Sequence, residues 1–364
     1  MKNNQNGLTY LAIYDQKKFP GIHKKISGFV SVAKKMGFAA NLSNIEGVSA
    51  IGRLLRLAKE IAGVKNSKLI IRWPAYGGFL LFFPVIFARL SGSFVVADVP
   101  TPRVVALAEI ASGNQNFFKR NLSLLAVALD GPWVLWPVNR VIQYAEESSY
   151  FSFLNKSRTY LMGNGIDLSS IPLKLNPEAA SKKVQLIAVA NVESWHGYDR
   201  VIQGISAHRE KFKDELAVTF SIVGEGEEIQ KLKELAAALK LESEVFFLGK
   251  VDGDALFALY DTANIAIGSL GLHRKGLTSA SSLKDREYCA VGLPFVASGF
   301  DCDFSPTYPY RYSISLTDDA LDIEKLLDWY QGINPVDSKE IRSYALMHCD
   351  FEAKIRKIFS LDEI

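Results

Sequence analysis

Cysteine is scarce in this sequence, and its start lacks a secretion signal. The chain of 364 residues has three cysteines, at positions 289, 302 and 349. An odd count without repeated spacing argues against a disulfide framework and a zinc site, and it favours a reducing compartment. The first six residues, Met-Lys-Asn-Asn-Gln-Asn, lack the apolar core of a secretory signal. We therefore expect a cytoplasmic protein.

Long apolar runs are also missing. The longest stretch without a charged residue is 73–88, which has 16 residues, whereas a bilayer span needs about 20. It also contains two prolines and two glycines. The stretch predicts a buried helix or, as the alternative, a segment that inserts partly into a membrane surface.

The sequence has instead a regular alternation of strand-like and helix-like segments. A chain of this length predicts two domains of about 150 to 200 residues each. The predicted strands are 8–14, 68–72, 94–97, 184–190, 217–223, 245–247, 265–267 and 295–297, and the predicted helices include 23–36, 229–239 and 338–359. This alternation predicts an α/β fold with two parallel sheets, each with helices on both faces.

Charge divides between two halves of the chain. Glycine and proline punctuation over 163–172 predicts a boundary near residue 165. Residues 1–165 carry 20 Lys and Arg against 8 Asp and Glu, a net charge of +12, whereas residues 166–364 carry 22 against 31, a net charge of −9. The basic half predicts an anionic partner.

The helix predicted over 23–36 offers one such partner surface. Four lysines flank its apolar residues at helical spacing: Lys24, Lys25, Lys34 and Lys35. A helix with a cationic rim can lie on anionic lipid, or it can be an ordinary amphipathic helix with a solvated edge. We favour the membrane surface over nucleic acid, which places the protein in the cytoplasm or at the inner face of the plasma membrane.

The most specific segment is 281–296, SSLKDREYCAVGLPFV. Ser281 or Ser282 is predicted to cap a helix whose free N–H groups and positive dipole end bind phosphate, with Lys284 adding a full charge. Glu287 falls one turn after Lys284 on the same face. The ammonium can therefore face phosphate while the carboxylate faces hydroxyls.

This segment resembles the donor site of the retaining glycosyltransferases of family 4, in which a similar helix and a glutamate precede Ala-x-Gly-x-Pro. The resemblance implies that Glu287 binds the ribose hydroxyls of a nucleotide. It also implies that the backbone at Ser281, Ser282 and Leu283 holds the diphosphate.

Segments upstream resemble the same family in its order. They are Asn164–Asp167, similar to the linker; 187–202, similar to the first strand, phosphate loop and helix; and 222–226 and 245–251, similar to the strands and turns of the nucleotide pocket. The resemblance implies that Gly224, Glu225, Gly249 and Val251 line that pocket. Gly224 and Gly226 alone predict only a tight turn.

Three positions depart from the family pattern. Ser279 replaces a glutamate that contacts the transferred sugar, and Asn191 and His196 replace an arginine and a lysine on the diphosphate. We expect His196 to donate a hydrogen bond to phosphate, with protonation that responds to pH. The missing positive charge is expected from Lys284, Arg286, Arg274 and Lys275.

A basic loop precedes the predicted phosphate helix. Residues 271–277 have glycines near both ends and His273, Arg274 and Lys275 between them. The loop is expected to close over a diphosphate-sugar, and the alternative is an exposed basic turn. Segments 195–200 and 284–288 resemble a branch of family 4 that makes surface polysaccharides.

In the first half the resemblance covers two short segments. Gly21 and His23 follow the first predicted strand, as the family's glycine loop does, and Asp98 and Thr101 follow a later strand in a turn rich in proline. The resemblance implies that these four residues line a cleft. Alternatively, Asp98 caps the next helix and His23 is a helix-start residue without a ligand.

Taken with its motifs, the resemblance implies the GT-B architecture, with two Rossmann-like domains facing a cleft. The expected domains are 1–165 for the acceptor and 166–340 for the nucleotide-sugar, with a helix in 341–364 that can return to the first domain. The implied activity is retaining, metal-independent transfer of a hexose-type sugar from a nucleoside-diphosphate sugar to a glycan or lipid-linked acceptor, without a cofactor. The alternatives are a nucleotide-sugar epimerase and a non-catalytic nucleotide-sugar or glycan-binding protein.

Overall fold

The computed structural model describes residues 6–17, 19–47, 49–100, 103, 106–107, 110, 117–144, 156–175, 183–212 and 217–361. The chain forms two compact units, the first from residues 1–167 and 351–364 and the second from residues 168–350. Each unit contains one six-stranded parallel sheet with helices. The predicted α/β fold with two Rossmann-like sheets is confirmed.

The first unit is built on six parallel strands in the order β2-β1-β3-β4-β5-β6. Its strands are β1 (Gly7–Ala12), β2 (Ala39–Asn44), β3 (Lys68–Arg72), β4 (Phe94–Val99), β5 (Arg140–Gln143) and β6 (Thr159–Leu161). Its helices include α1 (Pro20–Lys35), α2 (Ala50–Gly63), α3 (Phe82–Leu90) and α4 (Phe117–Leu129), with 3₁₀ turns at Gly78–Leu81 and Pro132–Leu135. The order reverses at β1, which lies between β2 and β3.

The second unit has the strand order β12-β11-β10-β7-β8-β9, which is the doubly wound order of dinucleotide-binding folds. Its strands are β7 (Lys183–Val189), β8 (Ala217–Val223), β9 (Val245–Gly249), β10 (Ile265–Ile267), β11 (Phe295–Ser298) and β12 (Arg311–Ile314). Its helices include α5 (Tyr198–Phe212), α6 (Ile229–Ala238), α7 (Gly253–Thr262), α8 (Leu283–Val291), α9 (Ile323–Gly332) and α10 (Ser338–His348). Short 3₁₀ turns lie at Ser194–His196 and Leu272–Lys275.

Strand alternation gives the first sheet a core on each face. In β3, Leu69 and Ile71 belong to the core cluster shared with α2 and α3, whereas Ile70 belongs to the opposite cluster shared with α1. Both faces of the sheet are therefore covered, which explains why β3 is a continuous apolar run.

The last helix, α11 (Phe351–Phe359), belongs to the first unit. The prediction of a single helix over 338–359 is wrong, because α10 ends at His348 and α11 starts at Phe351. The Phe351 ring packs edge-on against Phe29 with centroids 5.8 Å apart. A Cβ atom at Gly165 would lie 2.4 Å from the Phe351 ring, so this approach needs glycine.

The uncharged stretch 73–88 forms the 3₁₀ turn Gly78–Leu81 and most of α3. Leu81 and Val85 are buried, but Phe83 and Phe87 are exposed. The prediction of a buried helix therefore holds for one side of α3 only. None of the helices in the described ranges has the length and apolar character that a membrane crossing requires.

Candidate functional site

The strand order of the second unit identifies where a ligand can bind. The chain leaves β7 toward β8 on one side, and β10 pairs with its other side. In parallel α/β sheets, ligands bind outside the carboxyl ends of the strands at such a reversal. The loops after β7 and β10 touch there, because the Leu270 N–H donates to the His196 carbonyl at 2.9 Å and the Gly271 N–H to the Trp195 carbonyl at 3.1 Å.

Helix α8 begins beside these loops. Ser282 is its N-cap residue, with an extended backbone (φ −77°, ψ 131°), and its side chain makes no capping hydrogen bond. Ser282 thus occupies the predicted N-cap position, but its hydroxyl does not satisfy an N–H group of the first turn. Without that side-chain cap, the first-turn N–H groups can serve an anion, which the helix dipole also favours. Ser281 and Ser282 are partly exposed and Leu283 is exposed.

Lys284 lies in the first turn of α8. Its Nζ atom donates a hydrogen bond to the Tyr198 hydroxyl at 3.1 Å. Burial lowers the pKa of Lys284 to about 7, although the neighbouring Asp285 opposes this shift. An anion placed beside the ammonium would favour its charged form.

Asp285 was not predicted as a site residue, and it is 4% exposed. Its Oδ1 atom has no hydrogen-bond partner within the described residues. Burial raises the pKa of this carboxyl, with Lys284 opposing. In the sequence it looks like an ordinary acid in a first helical turn, so no local signal shows its burial.

Glu287 lies one turn after Lys284, as predicted, and is partly exposed. Its Oε1 atom accepts a hydrogen bond from the Tyr260 hydroxyl at 2.8 Å. Tyr260 comes from α7 and is fully buried, so it fixes one oxygen of the carboxylate. Sequence reasoning missed Tyr260, because its partner lies 27 residues away.

Arg286 faces the interior and not a ligand. Its guanidinium is fully buried and donates to both carboxylate oxygens of Asp301 (2.6 and 2.7 Å) and to Asp303 (2.7 Å). The expectation that Arg286 supplies charge to a diphosphate is therefore wrong. It instead anchors the segment after β11 to α8.

His196 closes the 3₁₀ turn after β7 and is buried. Its Nδ1 atom accepts the Glu193 backbone N–H at 3.0 Å, so the neutral ring carries its proton on Nε2. Burial, together with Lys284 and Lys275, lowers the pKa of His196 to about 2. The ring is therefore a neutral donor near pH 7, and its protonation would respond to pH only far below that value.

Asn191 is exposed in the same loop, where its amide donates to the Glu193 carboxylate at 3.0 Å. The loop after β8 packs closely on the start of this loop. A Cβ atom at Gly224 would lie 1.8 Å from the Ala190 carbonyl oxygen, and the φ of Gly224 is +125°. Only glycine allows this approach of two backbones.

The other predicted pocket residues lie near this approach. The Gly224 N–H donates to the Gly249 carbonyl at 2.7 Å, which joins the turns after β8 and β9. Glu225 is exposed and Val251 is partly exposed. These residues therefore form the β8–β9 side of the candidate site.

Ion pairs hold the basic loop 271–277 to the rest of the second unit. Arg274 donates to both oxygens of Asp199 (2.9 and 2.8 Å) and to Asp318 (2.7 Å), and the pairing raises its pKa. His273 lies 3.0 Å from Asp318, and the Lys275 ammonium lies 3.2 Å from the centre of the Trp195 ring. Arg274 is thus held in place beside the candidate site by Asp199 and Asp318.

Ser279 is buried at 2% exposure and forms an isolated parallel bridge with Phe300. The structure brings it into the segment between the basic loop and α8. Its small side chain stands where the family pattern has a glutamate, so the second unit offers no carboxylate at this position.

The first unit has a cavity at its own strand reversal. It lies beyond the carboxyl ends of β1 and β3 and has a volume of about 380 Å³. Its lining includes Tyr14, Phe19, Arg53, Arg72, Trp73 and Tyr76. The Arg53 Nε atom is buried without a hydrogen-bond partner within the described residues. Arg72 is the last residue of the predicted strand 68–72 and of β3, a position at the carboxyl end of a strand that could have identified it.

Of the cleft residues that the sequence predicted in the first unit, Gly21, His23 and Asp98 are not among the described residues that line this cavity. Asp98 is 1% exposed, accepts a hydrogen bond from the Tyr10 hydroxyl and lies 3.8 Å from Arg72. His23 lies 2.8 Å from the Tyr14 hydroxyl, which lines the cavity, and Gly21 is exposed in the first turn of α1. Thr101 lies outside the described residues.

Comparison with known proteins agrees with this geometry. Residues 173–302 match the family model described as glycosyl transferases group 1. A search of curated protein sequences gave no match.

Similar solved structures include a glycosyltransferase from Rickettsia africae ESF-5, with 13% identity, 98% of each chain covered and a TM-score of 0.65. A lipopolysaccharide outer core galactosyltransferase has 10% identity, with 97% of this chain and 99% of that chain covered and a TM-score of 0.60. The pneumococcal O-GlcNAc transferase, solved with UDP and GlcNAc, has 15% identity, with 85% of this chain and 59% of that chain covered and a TM-score of 0.52. At these identities the likeness shows the fold. The chain thus has the GT-B fold of glycosyltransferases, and its second unit carries a segment that matches the group 1 family.

Proposed function

We propose that this protein is a retaining glycosyltransferase that moves a hexose-type sugar from a nucleoside-diphosphate sugar to a glycan or lipid-linked acceptor. One observation carries the proposal. The start of α8, with no capping bond from the Ser282 side chain, lies at the strand reversal of the unit that matches the family model, with Lys284 in its first turn and Glu287 one turn later. This is the arrangement that a nucleotide diphosphate requires.

Each residue then has a chemical task. The α8 N-terminus and the Lys284 ammonium bind the diphosphate and stabilise the charge that develops as the sugar leaves. The neutral His196 adds an Nε2–H donor. Glu287, held by Tyr260, accepts hydrogen bonds from the ribose hydroxyls. Helix dipole and ammonium together supply the positive potential, so we propose that no metal or cofactor is required.

The acceptor is assigned to the first unit. The cavity of about 380 Å³ joins aromatic walls to Arg53 and Arg72, a combination that suits a sugar ring carrying a negative group. Likeness to a lipopolysaccharide outer core galactosyltransferase supports surface-polysaccharide synthesis as the setting.

Nucleotide binding tests the donor site. UDP, GDP, ADP, CMP and NAD are compared by thermal shift, since a ligand at a hundred times its dissociation constant adds about 2.7 kcal/mol of stability. We expect one nucleoside diphosphate to raise Tm, and Lys284→Ala and Glu287→Ala each to reduce the shift. Lys325→Ala and Glu324→Ala on the exposed side of α9 are the matched controls. Full binding by both site variants would refute the donor site.

Turnover separates the transferase from its rivals. Ser279 leaves one family carboxylate absent, which favours a non-catalytic nucleotide-sugar or glycan-binding protein as the second candidate. Such a protein would bind nucleotide without releasing it from a donor sugar, and an epimerase would convert the donor alone. Acceptor-dependent release of the nucleotide, retention of the anomeric configuration in the product and activity in excess chelator are the results that we expect.

A further inference from the structure

The first unit exposes many large apolar side chains on three segments. Ten of the twenty exposed large apolar residues in the described ranges lie within 83–90, 117–129 and 133–136. Leu90 is 80% exposed, Phe117 83% and Trp136 59%. We call these three segments the apolar face. Extended apolar patches on a protein surface mark sites of interaction.

Side-chain contacts join the three segments. The Phe82 ring packs against Trp133 and Trp136, with centroids 5.2 and 6.5 Å away, and so joins α3 to the turn at 132–136. Asp130, which follows α4, accepts the N–H groups of Gly78 at 3.0 Å and Phe79 at 2.7 Å, and so ties the end of α4 to the turn before α3. The apolar face is thus fixed by the fold.

The charged residues on the three segments of the apolar face are all cations. No Asp or Glu occurs in residues 73–97 or 117–129. Arg89, Lys119 and Arg120 are exposed there. The acid that follows α4, Asp130, is buried and accepts the two N–H groups named above. Phenylalanine and tryptophan beside cations without acids are the composition of a surface that enters the headgroup region of an anionic bilayer.

We propose that the apolar face docks on an anionic lipid bilayer, with its Phe, Leu and Trp side chains at the boundary between headgroups and acyl chains. The helix on which the sequence placed this contact is less suited to it. The apolar side of α1, including Ile26 and Phe29, is buried in the core, and Lys35 pairs with Asp167 at 3.2 Å. Helix α1 can therefore add charge but cannot insert.

The proposal does not depend on the transferase activity, but it bears on the acceptor. Residues 73–76 line the first-unit cavity, and α3 begins at Phe82 after a single 3₁₀ turn. If the proposed function is right, docking through α3 brings the cavity near the bilayer and favours the lipid-linked acceptor.

Vesicle flotation of the full chain tests the docking. Vesicles of phosphatidylcholine alone and with 30% phosphatidylglycerol are compared at ~50 and ~300 mM NaCl. We expect binding to the anionic vesicles that weakens at the higher salt concentration. Phe87→Ser with Leu90→Ser, and separately Phe117→Ser with Phe118→Ser, should each weaken binding at least tenfold. Leu346→Ser with Met347→Ser, exposed apolar residues of α10, should leave it unchanged.

Three results would overturn the docking. They are no binding of the wild-type chain to anionic vesicles at low salt, equal loss in the α10 control, and full binding by both face variants. A chain that self-associates through the apolar face but ignores vesicles would assign the surface to a protein partner instead. Since the substituted side chains are exposed, the nucleotide thermal shift should persist in all variants, so failure of docking is distinguishable from failure of the donor site.

Discussion

The lowered pKa of Lys284 makes donor binding sensitive to alkaline pH. With a pKa of about 7, about a quarter of the free protein carries the Lys284 ammonium at pH 7.5 and about one molecule in a hundred at pH 9. If the bound diphosphate keeps Lys284 charged, binding takes up a proton. Affinity should then fall about 20-fold between these pH values, or about 2 kcal/mol. The phosphate itself contributes little in this window, because its last proton leaves near pH 6.

Isothermal titration calorimetry with the nucleoside diphosphate that raises Tm measures this dependence. Buffers of different ionisation enthalpy report the proton uptake directly. Lys284→Arg is the matched control, because its guanidinium remains charged at pH 9 and binding should be independent of pH. Lys284→Met should bind weakly at every pH. A wild-type affinity that stays constant from pH 7.5 to 9, or that falls equally in Lys284→Arg, would show that this ammonium does not meet the diphosphate.

Three further predictions concern the same unit. Tyr260→Phe removes the hydrogen bond that fixes Glu287, so we expect nucleotide binding to weaken about tenfold, less than in Glu287→Ala; unchanged calorimetric affinity would contradict this. Gly224→Ala should lower the free energy of unfolding in urea by about 2 to 4 kcal/mol, because its Cβ atom would collide with the backbone at Ala190. Gly276→Ala has open space around it and should lower it by about 1 kcal/mol. The pKa of His196 is lowered in the folded state, so below about pH 6.5 the unfolded chain binds a proton that the folded chain does not. Between pH 7 and pH 5 this histidine should therefore lower the free energy of unfolding by about 2 kcal/mol. The free energy of unfolding of His196→Gln, measured by urea unfolding, should fall less over the same range.

Two strands show what the local pattern of the sequence could and could not predict. Strand β8 was predicted at its observed bounds, because its sequence AVTFSIV alternates buried apolar residues (Val218, Phe220 and Ile222) with partly exposed polar ones, which is the period-2 pattern of a strand. Strand β2, at the edge of the first sheet, was missed, because AANLSN contains only one buried residue and several polar ones. Edge strands are held by pairing with a neighbour, which leaves little local pattern.

Site residues divide in the same way. Lys284 and Glu287 could be placed together, because a helical turn separates them in sequence and in space. The partners that set their properties, Tyr260 and Tyr198, come from other helices and have no local signal. Arg286 shows the opposite error. Its charge predicted a contact with the ligand, but its side chain points to the buried side of α8, next to the partly exposed Glu287.

The apolar face could also be predicted only in part from the sequence. The sequence showed cations near α1 and an uncharged stretch over 73–88, but it could not show that one side of α3 remains exposed. That depends on where Trp133 and Trp136 lie, about 50 residues later in the chain.

The entry of α11 into the first unit has a consequence for synthesis. Helix α11 adds Phe351, Ile355 and Ile358 to a core whose other buried members end at Met162, and the whole second unit of residues 168–350 is translated between them. At a translation rate of ~5 to 20 residues per second, the face of the first sheet that α11 covers stays exposed for about 10 to 40 s. During this interval the nascent chain presents α1 and β1 without their last packing partner, so the ribosome-bound intermediate, rather than the finished protein, is the form most exposed to aggregation and to chaperones.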